Sequence, residues 1–147
     1  MDTMAEALFS GLHLLGALGM AAGLVIATLA AGSLAADSQQ HESAYRTFRK
    51  IYGYTGLAVI VTIGAGLMLW LAVGKPAAFF SNNPVFHAKL ALVATLLATA
   101  VYPAWFLCRA QGQQPVPQAV LRMQKSTLPL LLVVPVLAYL AARGIGY

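Results

Sequence analysis

Charge is what this sequence has least of: 9% of its residues are charged against 60% hydrophobic, and only four are acidic. A soluble domain is about one quarter charged, so a water-soluble globule is excluded and an integral membrane protein is indicated. The acids, Asp2, Glu6, Asp37 and Glu42, fall at helix ends or in loops. No buried carboxylate is therefore available as a general base, and no intramembrane carboxylate pair for the ion path of a transporter. Cysteine is nearly absent too. A lone Cys108 cannot close an internal disulfide and, at a helix end, reads as inert. The N-terminus lacks the basic region of a cleaved signal. Asp2 and Glu6 instead precede an apolar run of roughly 30 residues, longer than a signal's apolar segment, so the first helix is expected to stay in the mature protein. Nothing alternates with the period of two that a barrel strand needs.

What the chain has in abundance is long apolar runs. Four of them suffice to cross a hydrocarbon core, which takes about 20 helical residues. They extend approximately over Ala7 to Ala36, Tyr52 to Val73, Phe86 to Leu107 and Ser126 to Ala142. The expected fold is all-α: a single transmembrane domain over residues 1–147, built as an integral membrane four-helix bundle. Pro103 should kink the third helix near its end, Pro129 suits the first turn of the fourth, and Pro135 should bend its middle. Three polar connections join the spans: Asp37 to Lys50, Gly74 to Val85 with Asn82-Asn83-Pro84 as a turn, and Arg109 to Lys125 as a flexible loop.

The net charge of +5 and the isoelectric point near 9.7 raise the question of nucleic acid. The basic residues are scattered between apolar runs, however, and so read as topology signals, with no nucleic-acid partner. Arg46, Arg49, Lys50, Arg109, Arg122 and Lys125 fall on one side; Lys75 and Arg143 fall on the other, with Lys89 just inside that same end. The positive-inside rule then places the first and third loops in the cytoplasm. Both termini come out on the periplasmic side of a bacterial inner (cytoplasmic) membrane. Arg46, Arg49 and Lys50 are expected beside anionic lipids, and Trp70 and Tyr102 at the membrane interfaces.

On the first helix His13, Gly16, Met20, Gly23 and Ala27 recur at spacings of three and four, an inward-facing stripe of small residues carrying a histidine. On the third, His87, Ala91, Ala94 and Ala98 repeat that arrangement, and the second offers Thr55 and Thr62 among several glycines. His13 and His87 both lie toward the same outer end and are expected to approach one another; His41, in the first loop, cannot join them. Two histidines on small-residue faces suit the axial ligation of a b-type haem, glycines leaving room for a flat macrocycle. The plain alternatives are a core histidine bonded to a neighbouring carbonyl for His13 and an interfacial residue for His87. Lys89 projects about 200° from His87 on a regular helix, so the two cannot share a bundle centre. Its readings are a lysine snorkelling to headgroups or a cation for a porphyrin propionate. Met20 with either histidine would suit Cu(I), a more remote reading.

The segment Phe86-His87-Ala88-Lys89-Leu90 resembles the tryptophan-leucine-histidine-x-lysine-leucine motif of the HemJ-type protoporphyrinogen oxidase family. It is similar as well to an uncharacterised group of small four-helix bacterial membrane proteins related to that family. His13 followed by Met20-Ala21-Ala22-Gly23-Leu24, Arg46 to Tyr52, and Leu121-Arg122-Met123-Gln124 before Leu128-Pro129 extend the resemblance along most of the chain. The resemblance implies a bundle binding haem b, with His13, His87 and Lys89 at the cofactor and the two histidines at the metal. Met20 and Phe86 stand where the family has tryptophan, and Ala27-Thr28-Leu29-Ala30 replaces its leucine-proline-arginine segment. These departures weigh against the oxidase reaction more than against the fold or the haem.

Two functions are expected to compete. One is a HemJ-like membrane haem protein in redox chemistry, oxidising protoporphyrinogen IX or passing electrons, with the quinone pool as acceptor. The other is a non-catalytic accessory subunit, packed by its small-residue faces against a larger respiratory or photosynthetic complex, or a homo-dimer.

Overall fold

The computed structural model describes residues 3–36, 41–110 and 116–146. Helix α1 covers Thr3–Ala36 and α2 His41–Met68, the latter continued by a π-helical turn, Leu69–Val73. A short α3, Ala77–Ser81, precedes α4, Pro84–Arg109, and α5, Gln118–Ala142. The four long helices are apolar enough to cross a membrane, and no strand occurs among the described residues. Leu8, Ile60, Leu71, Val101 and Leu132 all project outward into the surroundings, Leu132 with 76% of its surface exposed. An apolar exterior of this kind is stable only against lipid; the protein is a membrane protein.

α1 and α2 form one antiparallel hairpin and α4 and α5 another; α1 lies beside α5 and α2 beside α4, closing the bundle. The first hairpin is a zipper of small residues. Gly16 meets Thr62, Gly19 meets Ala58, and Gly23 meets Thr55, so closely that a side chain at Gly16 or Gly23 would collide with the threonine hydroxyl. The hydroxyls of Thr55 and Thr62 are already satisfied by Ile51 O and Ala58 O on their own helix. They can therefore face a glycine without needing a partner there. Close approach of this kind supplies the dispersion contacts that hold helices together in lipid.

Two apolar clusters fill the interior. One, at the end carrying Arg46, Arg49, Arg109 and Arg122, gathers Ala27, Ala31, Tyr45, Phe48, Leu107 and Val120. The second lies deeper and joins Met20, Leu24 and Leu96, with Ala58, Leu130 and Leu131 packed around them. At the opposite end Asn83 caps α4, its side chain accepting from Val85 N at 2.9 Å, with Pro84 at the first helical position. The same side chain donates to Ile145 O at 3.3 Å, and Lys75 Nζ donates to Ala142 O at 2.9 Å. The chain's end is thus tied to the α2–α4 connection through a turn in which Gly144 and Gly146 take positive φ.

Three expectations are corrected. α2 begins at His41 and α5 at Gln118, so much of the first and third loops is helix; residues 37–40 and 111–115 lie outside the described ones. The added turns are amphipathic: Tyr45 and Phe48 point inward while Arg46, Arg49 and Lys50 point out, an arrangement that average hydropathy reads as polar. Pro129 accordingly sits well inside α5 rather than in its first turn, and Pro117 stands at the cap. The stripe His87, Ala91, Ala94 and Ala98 faces outward, every member exposed. α4 instead turns Phe86, Leu96, Pro103 and Leu107 inward, because those bulkier side chains fill the space against α2 and α5.

Candidate cofactor site

The α1 stripe does face the bundle, and His13 heads it. Its Nδ1 lies 2.8 Å from the carbonyl oxygen of Thr62. A carbonyl only accepts, so Nδ1 carries the hydrogen, and in the neutral ring Nε2 keeps its lone pair. The ring rests on Gly66: a Cβ there would stand 2.9 Å from its Cε1 and 3.0 Å from its Nδ1. Glycine at that position lets the imidazole come against α2 and reach the carbonyl one turn away. The plain reading of His13, a histidine bonded to a neighbouring carbonyl, therefore describes one of its two nitrogens and leaves the other uncommitted.

Lys89 shares the inward face of α4 with Phe86 and Leu96 and is half-buried. Its Nζ lies 5.6 Å from the Phe86 ring centroid. Among the described residues no carboxylate stands beside it. Phe86 belongs to an aromatic wall: Trp70 meets it edge-on at 5.0 Å, and Phe80 packs at 5.2 Å. Trp70 is more than an interface anchor. It reaches Phe86 from the π-helical turn and donates from Nε1 to Ser81 Oγ at 3.1 Å. Such turns widen a helix by one residue and recur at functional sites.

His87 is turned away. It is exposed, on the opposite side of α4 from Lys89, with Nε2 2.7 Å from Ser81 O. His13 and Lys89 thus lie on the inward faces of α1 and α4, and His87 lies outside. Among the described residues no three His, Cys, Asp or Glu side chains gather to hold a metal ion; a metal here would rest on one imidazole and on the cofactor that carries it. Met20 is buried in the apolar cluster with Leu24 and Leu96.

Beyond Met20 and Leu96 the inward positions include the buried Gly16, Ala65 and Phe86 and the half-buried His13, Gly66, Lys89 and Val93. Thr62 and Gly66 were visible in the sequence only as members of a glycine- and threonine-rich helix. Their pairing with His13 needed the α1–α2 register. A second polar group escaped sequence reasoning altogether: Gln124, buried at 2% exposure, whose amide nitrogen donates to Tyr52 Oη at 2.9 Å. The spacing of Val120, Gln124 and Thr127 was the available signal, masked by the arginine and lysine around it.

The model of a family described as predicted membrane protein (DUF2214) matches residues 5–146, and the chain belongs to that family. No curated protein and no solved structure matches it.

Proposed function

For this member of a family of membrane proteins, we propose a membrane b-type haem protein in redox chemistry, with His13 as the axial ligand and Lys89 as the cation for a propionate. The observation that carries the reading is the His13–Thr62 bond. Ligating histidines characteristically donate their second N–H to a carbonyl or carboxylate, which fixes the tautomer and aims the free nitrogen. Lys89, inward, half-buried and, among the described residues, without a carboxylate, offers an anion a partner where an unpaired ammonium is otherwise costly. Gly66 lets the imidazole come against α2 and reach the Thr62 carbonyl. Haem would supply one-electron chemistry tuned by its axial ligand and burial. The chain's own part is to orient the imidazole through Thr62, to hold an acidic group on Lys89, and to seal the site from the other end with Met20, Leu24 and Leu96.

The resemblance to the HemJ-type oxidases at His13 and Lys89 supports protoporphyrinogen oxidation or electron transfer as the activity, with porphyrin or quinone as partner. The excess of arginine and lysine at one end supports a bacterial inner-membrane protein with both termini outside. His87 has no place in this ligand set.

The test is an absorption spectrum of the detergent-purified protein, oxidised and dithionite-reduced, for wild type, His13→Ala and His87→Ala. A b-type spectrum lost in His13→Ala and kept in His87→Ala is expected. A colourless wild type, expressed with ample haem, would overturn the proposal. It would bring forward the accessory-subunit reading, which the outward Gly53, Gly56 and Gly64 favour, because no described residue lies within 4 Å of the side chain each would carry.

A further inference from the structure

At the basic end of the bundle two arginines from different helices converge on the last turn of α4. A helix end leaves carbonyls that its own backbone cannot serve. The N–H of Ala110 donates to Phe106 O, and Arg49 of α2 serves Cys108 O, its Nε donating at 2.9 Å. That bond fixes the Arg49 guanidinium where α2 meets α4 and leaves its Nη side for an anion. Arg109, the next residue of α4, folds back along its own helix, its guanidinium carbon 5.4 Å from the Trp105 ring centroid. Trp105 in turn stacks with Tyr102, their centroids 6.3 Å apart and their planes 24° from parallel. Val101, Tyr102, Trp105 and Arg109, all exposed and spaced by three and four, make one strip that passes from apolar to cationic. Among the described residues no carboxylate stands beside either guanidinium.

We infer that this corner of α2 and α4 binds one anionic phospholipid, its phosphodiester held by Arg49 and Arg109 and an acyl chain lying along Trp105, Tyr102 and Val101. Guanidinium groups suit a phosphate because their N–H donors match its oxygens in pairs. An inorganic anion would use only the two cations. A phospholipid uses the whole strip, since the apolar part continues into the membrane from the charged part. Arg46 and Lys50, exposed on the neighbouring turns of α2, add positive potential that favours an anionic headgroup over a zwitterionic one. The sequence alone made Arg49 one of several interfacial cations; the bond to Cys108 O joins it to Arg109. Arg122 and Lys125 are as exposed at the same end but stand on α5, where Arg122 reaches Gln118 Oε1 at 3.5 Å on its own helix. The site stands whether or not the chain binds haem, and in either orientation of the chain.

The test offers the full chain, in mild detergent, equal amounts of phosphatidylglycerol and phosphatidylcholine with matched acyl chains, and reads the retained lipid by native mass spectrometry. Wild type should keep phosphatidylglycerol in preference by roughly tenfold. Arg49→Gln with Arg109→Gln should abolish that preference. Arg122→Gln with Lys125→Gln removes the same charge from the same end and should leave it unchanged. Arg109→Gln alone spares the Arg49–Cys108 bond, and so decides the matter if the double variant misfolds; it should lower the preference by roughly threefold. Added inorganic phosphate should not displace the lipid. Equal losses in the two paired variants would mean a diffuse basic surface and overturn the inference. So would equal retention of the two lipids, displacement by inorganic phosphate, or an Arg109→Gln variant that behaves as wild type.

Discussion

The imidazole of His13 and the carbonyl of Thr62, 49 residues apart in sequence, meet at 2.8 Å. The contact exists because Gly16 sits on Thr62 and Gly66 sits under the ring. Helix α1 can approach α2 closely enough only where neither carries a Cβ in the way. The histidine most suited to ligation is thus positioned by two glycines and a threonine, none of which has any chemistry of its own. Small-residue packing, the general device of membrane helices, here sets the direction of a lone pair.

Gly66→Val should move the His13 ring off the Thr62 carbonyl, since even a Cβ stands 2.9 Å from Cε1. The expected outcome is loss of the b-type spectrum at a normal yield of folded protein, checked by absorption and circular dichroism on one preparation. Retained pigment would show that the tautomer lock is dispensable.

Lys89→Met should weaken haem retention by about tenfold, equivalent to about 1.4 kcal/mol, while Lys89→Arg keeps most of it. Haem titration of the apoprotein measures both. His87→Ala, altering an exposed side chain on the far face of α4, should leave retention unchanged.

The α1–α2 zipper should be intolerant of growth. At Gly16 a Cβ would stand 2.5 Å from Thr62 Oγ1 and 2.9 Å from its backbone nitrogen; Gly16→Ala is expected to destabilise by about 1–3 kcal/mol. Gly56→Ala meets nothing within 4 Å and should be neutral or stabilising by up to about 1 kcal/mol, from helix propensity alone. Unfolding both variants in mixed micelles by denaturing detergent gives the comparison.

Asn83→Ala removes the cap of α4 and the bond to Ile145 O together. A loss of about 1–2 kcal/mol is expected, along with faster proteolysis of the C-terminal turn, read by mass spectrometry.

Orientation can be read by thiol labelling from either side of sealed vesicles in a Cys108→Ala background. Asn82→Cys, exposed between α3 and α4, should react with an impermeant maleimide from the periplasmic side. Arg122→Cys at the basic end should react only from the cytoplasmic side.

Much of the bundle was legible without coordinates. Hydropathy adds up along a chain, so four spans follow from four runs of apolar residues whatever their neighbours do. Asn83-Pro84 announces a helix start because a cap and its proline act on the next turn of backbone. The stripe of His13, Gly16, Met20 and Gly23 announces a packing face because only one side of α1 is consistently small. Helix starts were misplaced at α2 and α5, where Tyr45, Phe48 and Val120 bury one side of segments whose other side is charged. A window average cancels the two sides.

What only the tertiary structure decided is which side of α4 faces in. Both of its sides are lawful in lipid: alanines beneath His87 on one, larger apolar residues around Lys89 on the other. In water the apolar side alone would be driven inward. Between two surfaces that are equally content against acyl chains, the choice falls to shape. Phe86, Leu96, Pro103 and Leu107 fill the volume that α1, α2 and α5 leave, and the alanines do not. That choice turns Lys89 inward and His87 out. The sequence determined four helices long and apolar enough to cross a membrane, with a histidine on the inward face of the first; packing determined what that histidine meets.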